Sequence, residues 1–410
     1  MNQGIFAALL SVLLYLTSLF SGGQAQPVKS YDPPMAQQSY AILGQGGTIT
    51  AERVTIRHSP STDGKPLGTV TASTKVTVLD EVQNWYKIRP SAGPDGWVPN
   101  YALNLEQIER AEPSQEILAF YSGGELAYDS LLENGSKLTG LVSLGWKLDS
   151  YGGLTVASGF DHEEMGRSLY FAGNQEMDTF ANVSLGASPT PLLKMPSLAE
   201  KSIQQILSAV QEWGLKGVLI NIDYLPGQEQ QELFAFVERL AAKLRPEGLK
   251  TMLALPWDAS LDYKTASQTV DFIILKHMLE PSPTRPGPIE PLPQMEAMLS
   301  EITKVIPANQ VILRISTGGI KWTRSGMPEV IAHQDVLELA ARQGANIRWD
   351  GESRTPYFQS DLGQEVWFEN RYSLKYKIDL AKKYNLRGLA LQDLGQEDGD
   401  IWTHLEPLVR

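Results

Sequence analysis

The chain has 410 residues, with 47 Asp and Glu against 35 Lys and Arg, and a formal net charge of -12. That length exceeds one ordinary domain and accommodates a small module beside a barrel-sized one. There is no cysteine, which excludes disulfides, zinc-thiolate sites, a catalytic thiol and a lipidated N-terminal cysteine. The acidic balance argues against nucleic acid and polyanionic wall polymers as main partners, because binding them needs a basic face; a neutral glycan fits better.

Residues 5–20 form an uncharged apolar run followed by Ser21-Gly22-Gly23-Gln24-Ala25. Small residues there suit cleavage after Ala25, so 1–25 reads as a secretory signal peptide and the product as secreted or periplasmic. An uncleaved membrane anchor is the competing reading, although the run is short for a spanning helix. Residues 26–46 are rich in Pro, Gln, Gly and Ser without periodicity and read as a tether. Residues 47–106 then show short strand-like runs separated by turn signals such as Thr62-Asp63-Gly64 and Pro94-Asp95-Gly96, the pattern of a small all-β barrel.

Across 117–410, apolar strands alternate with amphipathic helices, as in parallel α/β architecture. Strands are expected near 117–121, 140–146, 180–184, 217–223, 251–255, 272–275, 311–316 and 389–392, enough for a closed (β/α)8 barrel. Ahead of the fourth strand, Ser197 and Glu200 have capping-box spacing, and Ile203, Ile206, Leu207, Val210 and Trp213 share one helical face. Residues 322–372 are too many for a simple connection and predict an inserted subdomain bordering the cleft.

Within the small module, Arg57, Ser59, Pro60, Gly68, Trp85 and Gly96-Trp97-Val98 follow a pattern that resembles bacterial SH3 domains. The resemblance implies contact with wall peptide or with a catalytic partner; Trp85 and Trp97 are expected in the module's core. The run GVLINIDYLP, starting at Gly217, resembles the signature strand of family 18 glycoside hydrolases. So do SLGWKLDSYGGL, the Arg285-Pro286-Gly287-Pro288-Ile289 loop, Trp349-Asp350 and the segment EVWFENRYSLKYKIDLAKKYNLRGLAL, all in the manner of the spore-wall and deacetylase-associated bacterial branch.

That resemblance implies a TIM barrel with two aspartates and a glutamate at alternate positions of the fourth strand, facing the axis. In such enzymes the glutamate protonates the leaving oxygen while the substrate's acetamido oxygen attacks the anomeric carbon. Without gaps, these positions fall on Leu219, Asn221 and Asp223, so Asp223 is the candidate acid and Asn221 the candidate acetamido partner. Asp223 is one methylene shorter than Glu, and a misplacement of about 1 Å can cost roughly a hundredfold. Asn221 carries no charge to oppose the cationic ring; losing one preorganised electrostatic group costs on the order of a hundred- to a thousandfold. The family's Met-x-Tyr-Asp after strand six is Lys276-His277-Met278-Leu279, its frequent Tyr after strand seven is Gly318, and its Trp ending strand eight is Gln392.

Pairing of Asp223 with Lys276 or Asp393 is a structural possibility, either as a tuned site or as a plain ion pair. Asp161-His162-Glu163-Glu164 lacks converging ligand spacing and reads as a solvated loop, so no metal site is expected, nor any cofactor. The glycan-binding candidates are Trp146, Trp257, Trp322 and Tyr357, whose rings offer stacking faces, together with Gln392 and Asp393. These observations predict an exported, envelope-associated protein recognising an N-acetylglucosamine-containing glycan, peptidoglycan or chitin-like, with weak or absent hydrolysis. Two alternatives stand beside it: an active substrate-assisted, retaining glycosidase, and a protein-interaction scaffold with a cleft filled by Leu219, Met278 and Leu279.

Overall fold

The computed structural model describes residues 42–405, apart from 107–114, 157–160, 186–188, 224, 226–228, 278, 280, 324–326 and 361–362, and gives only the backbone of Leu144. The expected signal peptide and most of the expected tether lie outside the described residues, as does Met278.

Seven short antiparallel strands between Gly46 and Leu105 form the first sheet. Their alternation buries Ile49, Ile56, Val70, Val78, Ile88 and Val98 as one core. Trp85 and Trp97 depart from expectation: both are half-buried outside that core, and Trp97 lies in register with Arg57 and Lys87. The sheet sits against the larger body. Leu43 is buried in the larger body's apolar cluster with Phe171, the Gln175 side chain donates to the Gly44 carbonyl, and Arg89 pairs with Asp95 at 2.7 Å while reaching Glu133 at 3.9 Å.

The second sheet is the predicted barrel. Its strands are β1 (Glu116–Tyr121), β2 (Gly140–Leu148), β3 (Asp178–Leu185), β4 (Gly217–Asn221), β5 (Lys250–Pro256), β6 (Phe272–Lys276), β7 (Val311–Ser316) and β8 (Gly388–Gln392). These eight pair in parallel, and β1 pairs with both β8 and β2, which closes the ring; a ninth short strand, Leu154–Val156, adds antiparallel to β2. A strand's period of two sends Leu118, Phe120, Val142, Leu219, Ile274 and Ile312 to the axis, while Val218, Ile220 and Ile222 pack outward under the helices. Gly217 and Gly388 open β4 and β8 because a Cβ there would collide with the Lys250 and Glu116 carbonyls of the adjacent strands.

A register shift between Asn182 and Val183 places an extra residue in β2 opposite β3, so Leu144 faces Asn182 but Trp146 faces Val183. Beyond the bulge Trp146 points outward. The helix Pro196–Glu212 begins on Pro196, whose fixed φ suits the first helical position; Met195 precedes it, and the expected Ser197–Glu200 capping box does not form. Its predicted apolar face is buried on the barrel wall through Ile203, Ile206 and Val210.

Between β7 and β8 stands the inserted subdomain: strands Gly319–Trp322, Glu329–Ile331, Arg348–Asp350, Thr355–Gln359 and Glu365–Phe368 form one antiparallel sheet, covered by the helix His333–Gln343. Val336, Phe358, Val366 and Phe368 make its core.

Candidate functional site

The C-terminal ends of the barrel strands gather polar side chains above the apolar floor. Lys276, the last residue of β6, faces the axis because it is two residues beyond Ile274. Its ammonium donates to Asn221 Oδ1 at 2.9 Å, to the Ile222 carbonyl at 2.6 Å and to Asp223 Oδ1 at 2.9 Å. Those three acceptors use all three of its donors. Lys276 is 4% exposed, whereas the side chain of Asp223, just past β4, is 83% exposed. Burial, and then the nearby Arg314 charge, bring the Lys276 pKa down to about 8 against the opposing pull of Asp223. At Asp223, desolvation pushes the pKa upward, but the charge and hydrogen bond of Lys276, with Arg314 behind them, outweigh it and hold the carboxyl below its usual range.

Arg314 lies beside Lys276 in the β6–β7 register, two residues beyond the axial Ile312. It is 7% exposed, with its guanidinium 6.0 Å from the centroid of the Phe120 ring. Burial depresses its pKa, opposed by Glu290, Asp223 and Asp393. Among the described residues nothing accepts a hydrogen bond from it and no carboxylate forms an ion pair with it. Two amide oxygens are buried without a partner among the described residues: Oδ1 of Asn182, level with Leu219 of the apolar floor, and Oε1 of Gln392, at the end of β8. Asp393 turns into the left-handed region at φ 56° and accepts from Ser122 Oγ at 3.2 Å. The expected pairing of Asp223 resolves in favour of Lys276.

Behind the mouth, Lys377 is buried between Glu290 at 2.7 Å and Glu369 at 2.8 Å. Glu290 also accepts the Ser316 N–H and hydroxyl. Burial raises the Glu369 pKa; at Lys377 burial pushes the other way, but the two carboxylates prevail and raise it. This network ties β7, the inserted sheet and the helix Arg371–Lys383 together.

The aromatic candidates separate. Trp146 is 3% exposed in the outer core, edge-on to Trp213 at 6.1 Å, because the bulge turned it away from the axis; it does not line the mouth. Trp322 is likewise 3% exposed and donates to the Ser282 carbonyl, so it offers no free ring face. Trp257 is half-buried, stacked on Tyr263 at 5.5 Å and packed against the outer core. Tyr357 is half-buried and stacks on Trp367 at 4.5 Å. Trp349, Tyr372 and Tyr376 line a separate groove of about 440 Å³. Asp161 is a helix cap rather than part of a solvated loop: it accepts from the Glu164 N–H at 2.9 Å, while Glu164 accepts from Tyr121 and Gly124. Among the described residues no carboxylate or histidine cluster suits a metal.

Arg314 and Asn182 were not identified as site residues from the sequence. Arg314 carries a signal that exposes it: a permanent charge inside the apolar run Val311-Ile312-Leu313-Arg314-Ile315. A charge in a strand buried on both faces has only the barrel interior or mouth to enter.

A closed parallel barrel with its polar groups at the C-terminal strand ends, a subdomain between β7 and β8 and a small antiparallel module in front defines a TIM-barrel protein with an N-terminal β module. The model of glycosyl hydrolases family 18 matches residues 183–397, and that of the bacterial SH3 domain matches 52–104. The chain belongs to glycosyl hydrolase family 18 and carries an N-terminal bacterial SH3 domain. It is 24% identical over 234 residues to the cortical fragment-lytic enzyme of Bacillus subtilis, covering 52% of this chain and 54% of that protein. It is 23% identical over 237 residues to the putative sporulation-specific glycosylase YdhD of the same organism, covering 53% and 56% respectively. The chain thus spans about half the length of the curated relatives it matches. Among solved structures, a chitinase from Chromobacterium violaceum superposes with TM-score 0.66 at 21% identity, over 72% of this chain and 99% of that one. The spore cortex-lytic enzyme SleL of Bacillus megaterium gives 0.65 at 20%, over 76% and 78%. At these identities the structural likeness establishes the fold.

Proposed function

We propose that this is an exported, envelope-associated protein whose barrel, residues 117–410, holds an N-acetylglucosamine-containing glycan and hydrolyses it weakly or not at all. The observation that carries this reading is the Lys276 ammonium on Asp223. A general acid must hold its proton near neutral pH, and the only carboxyl at the family's acid position is kept ionised. Asn221, the candidate acetamido partner, is occupied by the same ammonium. The names of the relatives, which include lytic enzymes of the spore cortex and chitinases, favour peptidoglycan or chitin-like strands as the ligand. The SH3 module, residues 47–106, would add contact with wall peptide through the half-exposed Trp85 and Trp97.

The test incubates purified protein with N-acetylglucosamine oligomers and with peptidoglycan fragments, following products by mass spectrometry and affinity by calorimetry, beside Asp223→Ala. Binding without cleavage supports the proposal. Cleavage abolished in Asp223→Ala would instead establish a working glycosidase, and no affinity for either ligand would leave a protein scaffold.

A further inference from the structure

Arg314 is a group the fold leaves unfinished. A guanidinium has five donors and cannot shed its charge in a protein. Here it is 7% exposed and, among the described residues, its one recorded contact is the Phe120 ring, which satisfies none of those donors. None of its nitrogens is among the buried side-chain atoms left without a partner, so the donors are open to a ligand, which would complete the pairing that charges in such surroundings normally have. The nearest potential counter-charges are committed elsewhere: Asp223 to Lys276, Glu290 to Lys377 and Ser316, and Asp393 to Ser122. Lys276 adds a second buried positive charge next to it but has no donor to spare. The result is a forked cation at the mouth with Glu290, Asp223 and Asp393 in its field but, among the described residues, none hydrogen-bonded to it.

We propose that Arg314 is the receptor for a carboxylate carried by the sugar that occupies the barrel mouth. Arginine's planar fork matches a carboxylate with two parallel hydrogen bonds, and such charge-assisted pairs are the strong ones. The chain's charge of -12 repels long polyanions, and Asp223, Asp393 and Glu290 also act on Arg314, so the site suits a single carboxylate aligned on the guanidinium rather than a run of them. The ligand class is therefore an amino-sugar glycan bearing an acidic residue, in which the carboxylate is either an ether-linked substituent, as in N-acetylmuramic acid, or part of the ring skeleton, as in a uronic acid. This inference rests on the glycan-binding reading above and sharpens it.

Calorimetric titration of the full chain distinguishes the two. The ligands are a neutral N-acetylglucosamine disaccharide, the N-acetylglucosamine–N-acetylmuramic acid disaccharide, its methyl ester, and a disaccharide of glucuronic acid with N-acetylglucosamine. We expect one acidic disaccharide to bind on the order of ten- to a hundredfold tighter than the neutral one; which acid wins locates the carboxylate. If it is the muramic disaccharide, esterification removes the advantage on the unaltered protein, so the result does not depend on any variant folding. Arg314→Gln should abolish the preference while retaining affinity for the neutral ligand, and Arg314→Lys should restore only part of it. Equal affinity for all four ligands would overturn the carboxylate site and leave glycan binding standing. No affinity for any would overturn both.

Discussion

Replacing Lys276 with Met, a side chain of similar length without charge, tests whether this lysine disarms the barrel. The pair separates two charges by 2.9 Å. Coulomb attraction at that distance is about 6 kcal/mol at an effective dielectric of 20 and about 1.4 kcal/mol in water. Because the Asp223 side chain is 83% exposed, the lower figure applies, further reduced by screening. Removing the ammonium also orphans Asn221 Oδ1 and the Ile222 carbonyl at about 1–3 kcal/mol each if water cannot reach them, partly offset by no longer burying a charge. The net change in stability should stay within about 2 kcal/mol. The chemical consequence is larger. Desolvation, which raises the Asp223 pKa, then faces only Arg314, so the carboxyl rises from below its usual range. In the parent the depressed pKa means the pair's stabilisation is present above the ordinary carboxylate pKa and is lost as pH falls through the lowered value; in Lys276→Met that acid-side loss disappears. Carbon-13 carboxyl titration by NMR reads the rise directly. Combining Lys276→Met with Asp223→Glu, which restores reach, should increase hydrolysis of N-acetylglucosamine oligomers by on the order of a hundred- to ten-thousandfold, the range of general acid catalysis. An Asp223 titration that does not move in Lys276→Met would refute the reasoning.

Three further outcomes are expected. Lys377→Met strands Glu290 and Glu369 in the interior and should cost about 3–5 kcal/mol by urea unfolding; since burial raises the Glu369 pKa, the deficit should shrink as pH falls and the carboxyls protonate, and a pH-independent deficit would contradict this. Trp146→Ala should cost about 3–5 kcal/mol in stability, as for large core truncations, while glycan affinity measured well below the melting temperature stays unchanged; a selective loss of affinity would return Trp146 to the site. Gly217→Ala forces a methyl against the Lys250 carbonyl and should destabilise the barrel by more than about 1 kcal/mol, read as a lower melting temperature by calorimetry.

Much of the architecture was legible before any coordinates. Eight apolar runs mark eight strands, and in the fourth the β-branched Val218, Ile220 and Ile222 at alternate positions fix the two faces, because these follow from a strand's period. The facing of Leu219 and Asn221 toward the axis, and of Val218 and Ile220 away from it, follows directly from that alternation. At Trp146 alternation alone is not enough, because a single inserted residue in β2 inverts the parity. A bulge is a property of two paired strands, and neither sequence alone announces it. The helix cap failed for a different reason: Ser197 and Glu200 have the right spacing, but Pro196 with its preset φ begins the helix before them.

The chain's sequence by itself determined the family, the barrel and the insertion, and it placed a carboxylate at position 223, since each is written in local pattern and residue type. Only the tertiary structure decided the state of that carboxylate. Lys276 and Asp223 lie 53 residues apart on strands separated by β5, and the pKa of each is set by charges, burial and hydrogen bonds that exist only once the ring closes. The same closure put Arg314 at the mouth with no described residue accepting from it, because the orientation of a strand residue is local but the partners available to it are not.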